Sequence, residues 1–284
     1  MSEGISRAVL VTGCSTGIGR ATALRLVAAG YTVYATARKQ AAVADLVAKG
    51  CKTLALDVCD ESSMRAAVEA IEKAEGAVGV LINNAGYGSE GPVEEVPLEE
   101  ARRQFDTNVF GLARMAQLVL PGMRRQGWGK IVNVSSMGGR LTLPGGGFYH
   151  ATKYAVEALS DALRFEVRGF GVDVIVIQPG PIKTQFGDTA VDRVRALGGP
   201  SSPYAAFNTE LMKQIRGAYE GPLGALAAGP DAVARVIARA IAARRPRTRY
   251  PVTFAARFLM RLRAWLPDRA FDAMLRTILP TPGR

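Results

Sequence analysis

Short apolar runs recur along the chain, and between them lie longer stretches whose apolar residues return every three or four positions. AVLVT at 8–12 is the first run, followed by YTVYAT at 31–36, CKTLAL at 51–56, VGVLIN at 78–83, KIVNVS at 130–135 and VDVIVIQ at 172–178. Runs this short and this rich in Val and Ile predict strands buried on both faces. The helical stretches lie near 17–29, 40–49, 61–74, 99–125, 148–168, 204–220 and 230–243. Strand and helix alternate, so the expected class is α/β, a doubly wound parallel sheet with helices on both faces. TRYPVT at 248–253 supplies a seventh strand at the sheet edge, where Pro251 needs no ladder partner.

No internal repeat or long linker interrupts this alternation, so residues 1–284 read as a single domain. The least regular part runs from about 183 to 230 and contains GGPSSP and GPLGALAAGP. It follows the sixth strand, and ligands of open α/β sheets bind outside the carboxyl ends of the strands. The segment is therefore expected to be a substrate lid. A basic helical tail follows at about 250–284.

Composition narrows the classes. No window of 18 apolar residues is present, so no spanning helix is expected. The first apolar run is already a strand, which argues against a signal peptide. Cys14, Cys51 and Cys59 show no C-x-x-C spacing and read as free thiols of a reducing cytoplasm. His150 is the single histidine, so no metal is expected, and the lack of a G-x-S-x-G disfavours a hydrolase. The formal charge of +11 is uneven, because residues 244–284 hold ten Arg against two acids. No nucleic-acid-binding module accompanies it.

The chemistry begins with Tyr149 and Lys153. On a helix these lie four apart, on one face, and set an ammonium beside a phenol. A nearby cation favours the phenolate and lowers its pKa, which makes the phenol a usable acid or base near neutral pH. Ser136, thirteen residues earlier, offers a hydroxyl for a substrate oxygen, with Ser135 as its competitor. At the N-terminus the first strand runs into Gly13, Gly17 and Gly19 and then a helical stretch. Strand, glycine turn and helix N-terminus form an anion site suited to a pyrophosphate, as in a Rossmann-type domain. The spacing is G-x-x-x-G-x-G rather than G-x-G-x-x-G.

Taken with Asn83-Asn84-Ala85-Gly86, Asn108, Ser136, Tyr149, Lys153 and Pro179-Gly180, this turn resembles that of the short-chain dehydrogenase/reductase family, over about residues 6–187. The resemblance implies an oxidoreductase that interconverts a carbonyl and an alcohol. It gives Tyr149 the role of general acid, Ser136 that of second donor, and Asn108 a water that connects Lys153 to solvent. Lys153 would lower the Tyr149 pKa and, with Tyr149, hold the nicotinamide ribose. Ser15, Ile18 and the three glycines would hold the pyrophosphate side, Asp57-Val58 the adenine, Asn84 the adenosine ribose, and Pro179, Ile182 and Thr184 the nicotinamide carboxamide. At the end of the second strand Ala37 stands where NAD enzymes of the family carry an acid, and Arg38 follows. A guanidinium suits a 2′-phosphate, so the expected cofactor is NADP(H).

The wording of TGCSTGIG, NNAGYGSEGPVEE, FYHATKYAVEAL and PGPIKTQF looks like the branch that contains 17β-hydroxysteroid and retinol dehydrogenases. That implies a bulky lipophilic carbonyl or alcohol as substrate. Phe186, Phe207, Leu211, Met212 and Tyr219 are candidates for its pocket or, equally, for a core-facing helix stripe. In the tail, Phe254, Phe258, Leu262 and Trp265 share one stripe, with Arg257 and Arg261 on another. Two readings stay open: a surface resting on an anionic membrane, or a helix packed over the pocket with its arginines in water. The resemblance also implies a homodimer or homotetramer through helices near 99–125 and 148–168. Other functions are a dinucleotide-binding regulator, which would usually have lost the Tyr or Lys, and an epimerase or dehydratase on the same fold.

Overall fold

Apolar side chains that alternate along each buried strand must be covered on both faces. In the first strand of the computed structural model Val9 and Val11 pack into one core, while Ala8 and Leu10 pack into the other. The structure describes residues 4–197, 199, 201–220 and 227–283. Its strands are β1 (Val9–Val11), β2 (Val33–Ala37), β3 (Lys52–Ala55), β4 (Val80–Asn83), β5 (Gly129–Val134), β6 (Val172–Gln178) and β7 (Arg249–Pro251). They form one seven-stranded sheet in the order β3-β2-β1-β4-β5-β6-β7, parallel throughout. Val9 pairs with Val33 on one side and Val80 on the other. Chain direction across the sheet therefore reverses between β1 and β4, and a crevice opens at the carboxyl ends there.

On one face lie α1 (Gly17–Ala28) and α8 (Pro230–Ala242), with a ten-residue 3-10 helix at Gln40–Lys49. On the other lie α2 (Glu61–Glu75), α3 (Leu98–Phe105), α4 (Leu112–Arg125) and α5 (Gly147–Val167). The edge strand is tied to α5 by charge. Arg249 meets Glu157 at 2.9 Å and Asp161 at 2.7 Å, and Gln178 also donates to Glu157.

The single helix expected over 99–125 is interrupted. Asp106–Gly111 form a π-helical turn between α3 and α4. There is a packing reason, since Gly111 passes so close to Val58 that a Cβ would stand 2.5 Å from its carbonyl oxygen. The turn also carries Asn108 inward. Within 183–230, the least regular part of the sequence, an unexpected helix, α6 (Phe186–Ala196), precedes the helix expected near 204–220, which forms as α7 (Ala205–Glu220); residues 198, 200 and 221–226 lie outside the described residues. Phe207 and Leu211 of α7 build a small core with Val194 of α6, and Met212 packs against it. The tail forms α9 (Phe254–Trp265) and α10 (Asp268–Arg276). Among the described residues no helix is long and apolar enough to cross a membrane.

Candidate active site

The crevice at the strand ends widens into a cavity of about 1170 Å³. Its floor is the turn after β1. Gly13 has φ +73 and Gly17 φ +58, left-handed values that favour glycine. A Cβ on Gly13 would also lie 2.9 Å from Ala85. Gly19 does not face the cavity; a Cβ there would meet the Gly13 carbonyl and the Asn84 amide, so it lets α1 sit close behind the turn. Thr16 at the α1 N-cap makes no side-chain cap, which leaves the first N–H groups of the helix for an anion. Asn84 is partly spent on structure. Its Nδ2 donates to the carbonyls of Thr12 (2.9 Å) and Gly13 (3.0 Å), pinning β4 to the turn.

Apart from Gly19, every residue expected to hold a dinucleotide lines this cavity. Arg38 stands exposed at its rim after β2, and among the described residues it has no acidic partner. Asp57 keeps a turn role as well, accepting from the Cys59 N–H at 3.0 Å. Thr184 touches the glycine turn from the β6 side, and the Pro179 carbonyl accepts from Met137 N–H at 2.8 Å. The cradle fits a nicotinamide dinucleotide: the uncapped N-terminus of α1 faces the cavity beside the glycine turn, and Arg38 stands exposed at its rim. Cys14, in the same turn, is fully buried, and burial pushes its thiol up to about 12.

At the other end α5 presents Tyr149, His150 and Lys153. Tyr149 and Ser136 both line the cavity. Ser136 also accepts from Gly138 N–H at 3.0 Å. The competitor Ser135 is buried with its Oγ unpaired among the described residues, beside Glu157 and away from this pair. Lys153 lies on α5 beside Tyr149. Its Nζ donates to the Val134 carbonyl at 3.0 Å and lies 5.9 Å from the centre of the Tyr149 ring. Burial holds its pKa down to about 8, against the opposing charge of Glu157. Burial dominates at Tyr149 too and raises its pKa, while Ser136 lowers it and the charges of Tyr219 and Glu90 raise it further.

Asn108 does not reach the cavity surface. The π-turn sets its Oδ1 against Tyr87 N–H (3.0 Å), and its Nδ2 donates to Tyr87 O (2.8 Å) and Thr152 Oγ1 (3.1 Å). It ties the strand-end loop to α5 one residue from Lys153.

Two features escaped the sequence reading. His150 packs edge-on to the Tyr149 ring, 5.6 Å between centres, and its Nδ1 meets the Gly138 carbonyl at 3.0 Å. A carbonyl only accepts, so Nδ1 carries a proton. Glu90 lines the cavity, and burial pushes its carboxyl up to about 7. A lone acid in a glycine-rich loop carries no sequence signal of its own.

The candidates for an apolar wall divide. Phe186, Leu211 and Tyr219 line the cavity, whereas Phe207 and Met212 belong to the small core between α6 and α7. Ala255 and Leu259 of α9 and Phe271, Met274 and Leu275 of α10 close it from the tail side. The tail helix does lie over the pocket, but through Ala255 and Leu259; Phe254, Phe258 and Trp265 of the expected stripe face solvent.

Comparison with known proteins agrees with this geometry. A family model described as short chain dehydrogenase matches residues 7–194. A 3-ketodihydrosphingosine reductase of Bacteroides thetaiotaomicron is 37% identical over 94% of this chain and 96% of its own. An NADPH-dependent 3-dehydrocapnine reductase of Ornithobacterium rhinotracheale is 36% identical over 94% of this chain and 95% of its own. The crystal structure of a short chain dehydrogenase/reductase from Burkholderia phymatum in complex with NAD superposes with a TM-score of 0.77, at 28% identity, over 100% of this chain and 99% of that one. With its parallel sheet, glycine cradle and Ser136–Tyr149–Lys153 cluster, the chain belongs to the short-chain dehydrogenase/reductase family of oxidoreductases.

Proposed function

We propose that this protein is an NADP(H)-dependent carbonyl reductase acting on a bulky lipophilic ketone. The observation that carries the reading is that Tyr149, Ser136 and Lys153 line one cavity with Leu141, Leu143, Phe186, Leu211, Ile215 and Leu275 in its wall. When bound, the nicotinamide dinucleotide supplies or accepts the hydride. Burial keeps Tyr149 protonated at neutral pH, so in the reductive direction it gives its proton to the carbonyl oxygen. Ser136 Oγ provides a second donor to the same oxygen. An ammonium has three N–H donors, and Val134 takes one from Lys153. The others are free to hold ribose hydroxyls and return a proton to Tyr149. Asn108 positions the loop and α5 around them.

Arg38 supports NADP(H) over NAD(H), since its guanidinium meets no carboxylate among the described residues and Ala37 offers none. The names of the Bacteroides and Ornithobacterium relatives support a reductase with a lipid-like substrate, and the second supports NADPH. Fluorescence titration with NADPH and, separately, NADH tests the cofactor side without knowledge of the substrate. Tighter binding of NADPH is expected; equal or reversed affinity removes Arg38 from its role, and binding of neither removes the dehydrogenase reading.

Two surface features extend this reading. Phe110, Tyr154, Leu159 and Phe165 are exposed in the two regions expected to pair, which supports self-association there. The outer face of α9 shows Phe254, Phe258 and Trp265 to solvent beside Arg257 and Arg261. Aromatic tips flanked by guanidinium groups suit an anionic membrane surface, and the inner face of the same helix lines the cavity. Such a surface would bring the pocket to a lipid substrate, and the three free thiols support a reducing cytoplasm.

A further inference from the structure

His150 is a polar group of the cavity wall that the mechanism leaves unused. It is 6% exposed, and its imidazole sits in a slot made by two glycines. A Cβ on Gly138 would stand 2.4 Å from Nδ1, and one on Gly146 would stand 2.5 Å from Cδ2 and Nε2. From this seat Nδ1–H donates to the Gly138 carbonyl at 3.0 Å. Burial lowers the His150 pKa, so the ring is neutral at pH 7 and its one N–H is spent on that bond. Gly138 is held from its other side as well, since its N–H donates to Ser136 Oγ at 3.0 Å. His150, Gly138 and Ser136 thus form a chain that joins α5 to the serine hydroxyl through one residue without a side chain. The same turn, Met137–Gly139, is anchored by Met137 N–H on the Pro179 carbonyl at 2.8 Å. A hydroxyl that accepts one N–H still has its own proton to give, and here that proton points away from Gly138.

We propose that His150 is a positioning residue for Ser136: it fixes Gly138 so that Gly138 N–H holds Oγ with the hydroxyl proton turned to the carbonyl oxygen of the substrate. The imidazole itself touches neither that oxygen nor the cofactor in this role. Tyr149 and His150 are neighbours on α5, with ring centres 5.6 Å apart. One turn of helix therefore sets both donors, the phenol directly and the serine through Gly138. This rests on the reading of Ser136 as second donor given above and adds the residue that aims it.

The test separates the two ring nitrogens. An Asn amide reaches the place of Nδ1 and can donate to the Gly138 carbonyl, whereas a Gln amide reaches that of Nε2 and cannot. With NADPH and dodecan-3-one, kcat of full-length His150→Gln should fall roughly ten- to a hundred-fold, the scale of misplacing a group at a reacting centre. His150→Asn should keep most of it, and both variants should bind NADPH as the wild type does in fluorescence titration. In a Ser136→Ala background the Gln substitution should cost nothing further, because the group it aims is gone; a merely structural effect would add in full. His150 is the only histidine, so NMR of the protein labelled in its imidazole nitrogens reads the tautomer at pH 7 without turnover, and a proton on Nδ1 is expected. Equal kcat in the Asn and Gln variants, additive losses with Ser136→Ala, or a proton on Nε2 overturns the proposal while leaving the reductase reading intact. A Ser136→Ala enzyme as fast as the wild type, or no turnover of dodecan-3-one by the wild type, overturns that reading and this proposal with it.

Discussion

Lys153 donates its Nζ proton to the Val134 carbonyl at 3.0 Å instead of to the Tyr149 phenol. The bond fixes a lysine that is almost wholly buried, with a pKa brought down from 10.5 to about 8. A depressed lysine pKa means that the folded state binds fewer protons than the unfolded chain between these two values. The cost of burying the charge is full below pH 8 and is relieved as pH rises toward 10.5. Lys153→Met should therefore stabilise the cofactor-free protein at pH 7, by about 2–3 kcal/mol at most, and progressively less toward pH 10. Urea unfolding of both proteins across that range checks it; a constant difference contradicts it.

Glu90 shifts in the opposite sense. Its folded-state pKa of about 7 lies above the ordinary 4.5, so the folded state prefers the neutral acid. The penalty for its charge is absent below pH 4.5, grows through the interval and is complete above 7. The carboxyl is partly open to the cavity, so water there limits the penalty to about 1–2 kcal/mol. Glu90→Gln should raise the melting temperature at pH 8 and leave it nearly unchanged at pH 4.

Arg38 is the proposed handle for cofactor choice. Arg38→Asp replaces the donor for a 2′-phosphate with a repelling charge next to Ala37. The ratio of NADPH to NADH affinity should fall by about a hundred-fold or more, the scale of losing a charge-assisted pair and adding repulsion. An unchanged ratio places the 2′-phosphate elsewhere.

Phe254 and Phe258 stack with their ring centres 6.3 Å apart, both facing solvent. Flotation with anionic vesicles should carry the wild type upward and leave the triple variant Phe254→Ser, Phe258→Ser, Trp265→Ser at the bottom. None of these three side chains lines the cavity, so soluble turnover offers a check of folding. Equal flotation removes the membrane surface from the account.

Much of this was legible in the chain because strand and helix periods are local. Val9, Leu10 and Val11 declare a strand covered on both sides, and Tyr149 and Lys153 declare one helix face. The motifs then located the cavity wall on both sides of the β1–β4 crevice. What stayed hidden depends on contacts between distant segments. The break in the helix at Asp106–Gly111 answers to the approach of Val58, and the Nζ of Lys153 answers to a carbonyl of β5. Within 183–230 the helix at 204–220 was legible, but α6 was not, since its Val194 meets Phe207 and Leu211 only in the folded chain. Glu90 reads as an ordinary surface acid until the loop that carries it is seen against the cavity.

The most direct test of the central claim is the rate of NADPH-dependent ketone reduction by Tyr149→Phe, measured beside its affinity for NADPH. In the proposed mechanism the hydroxyl is the proton donor, and its removal leaves the glycine cradle and Arg38 untouched. Turnover lower by about a hundred-fold or more with NADPH affinity retained is the predicted result. Turnover within a few-fold of the wild type would contradict the assignment of Tyr149 as the acid.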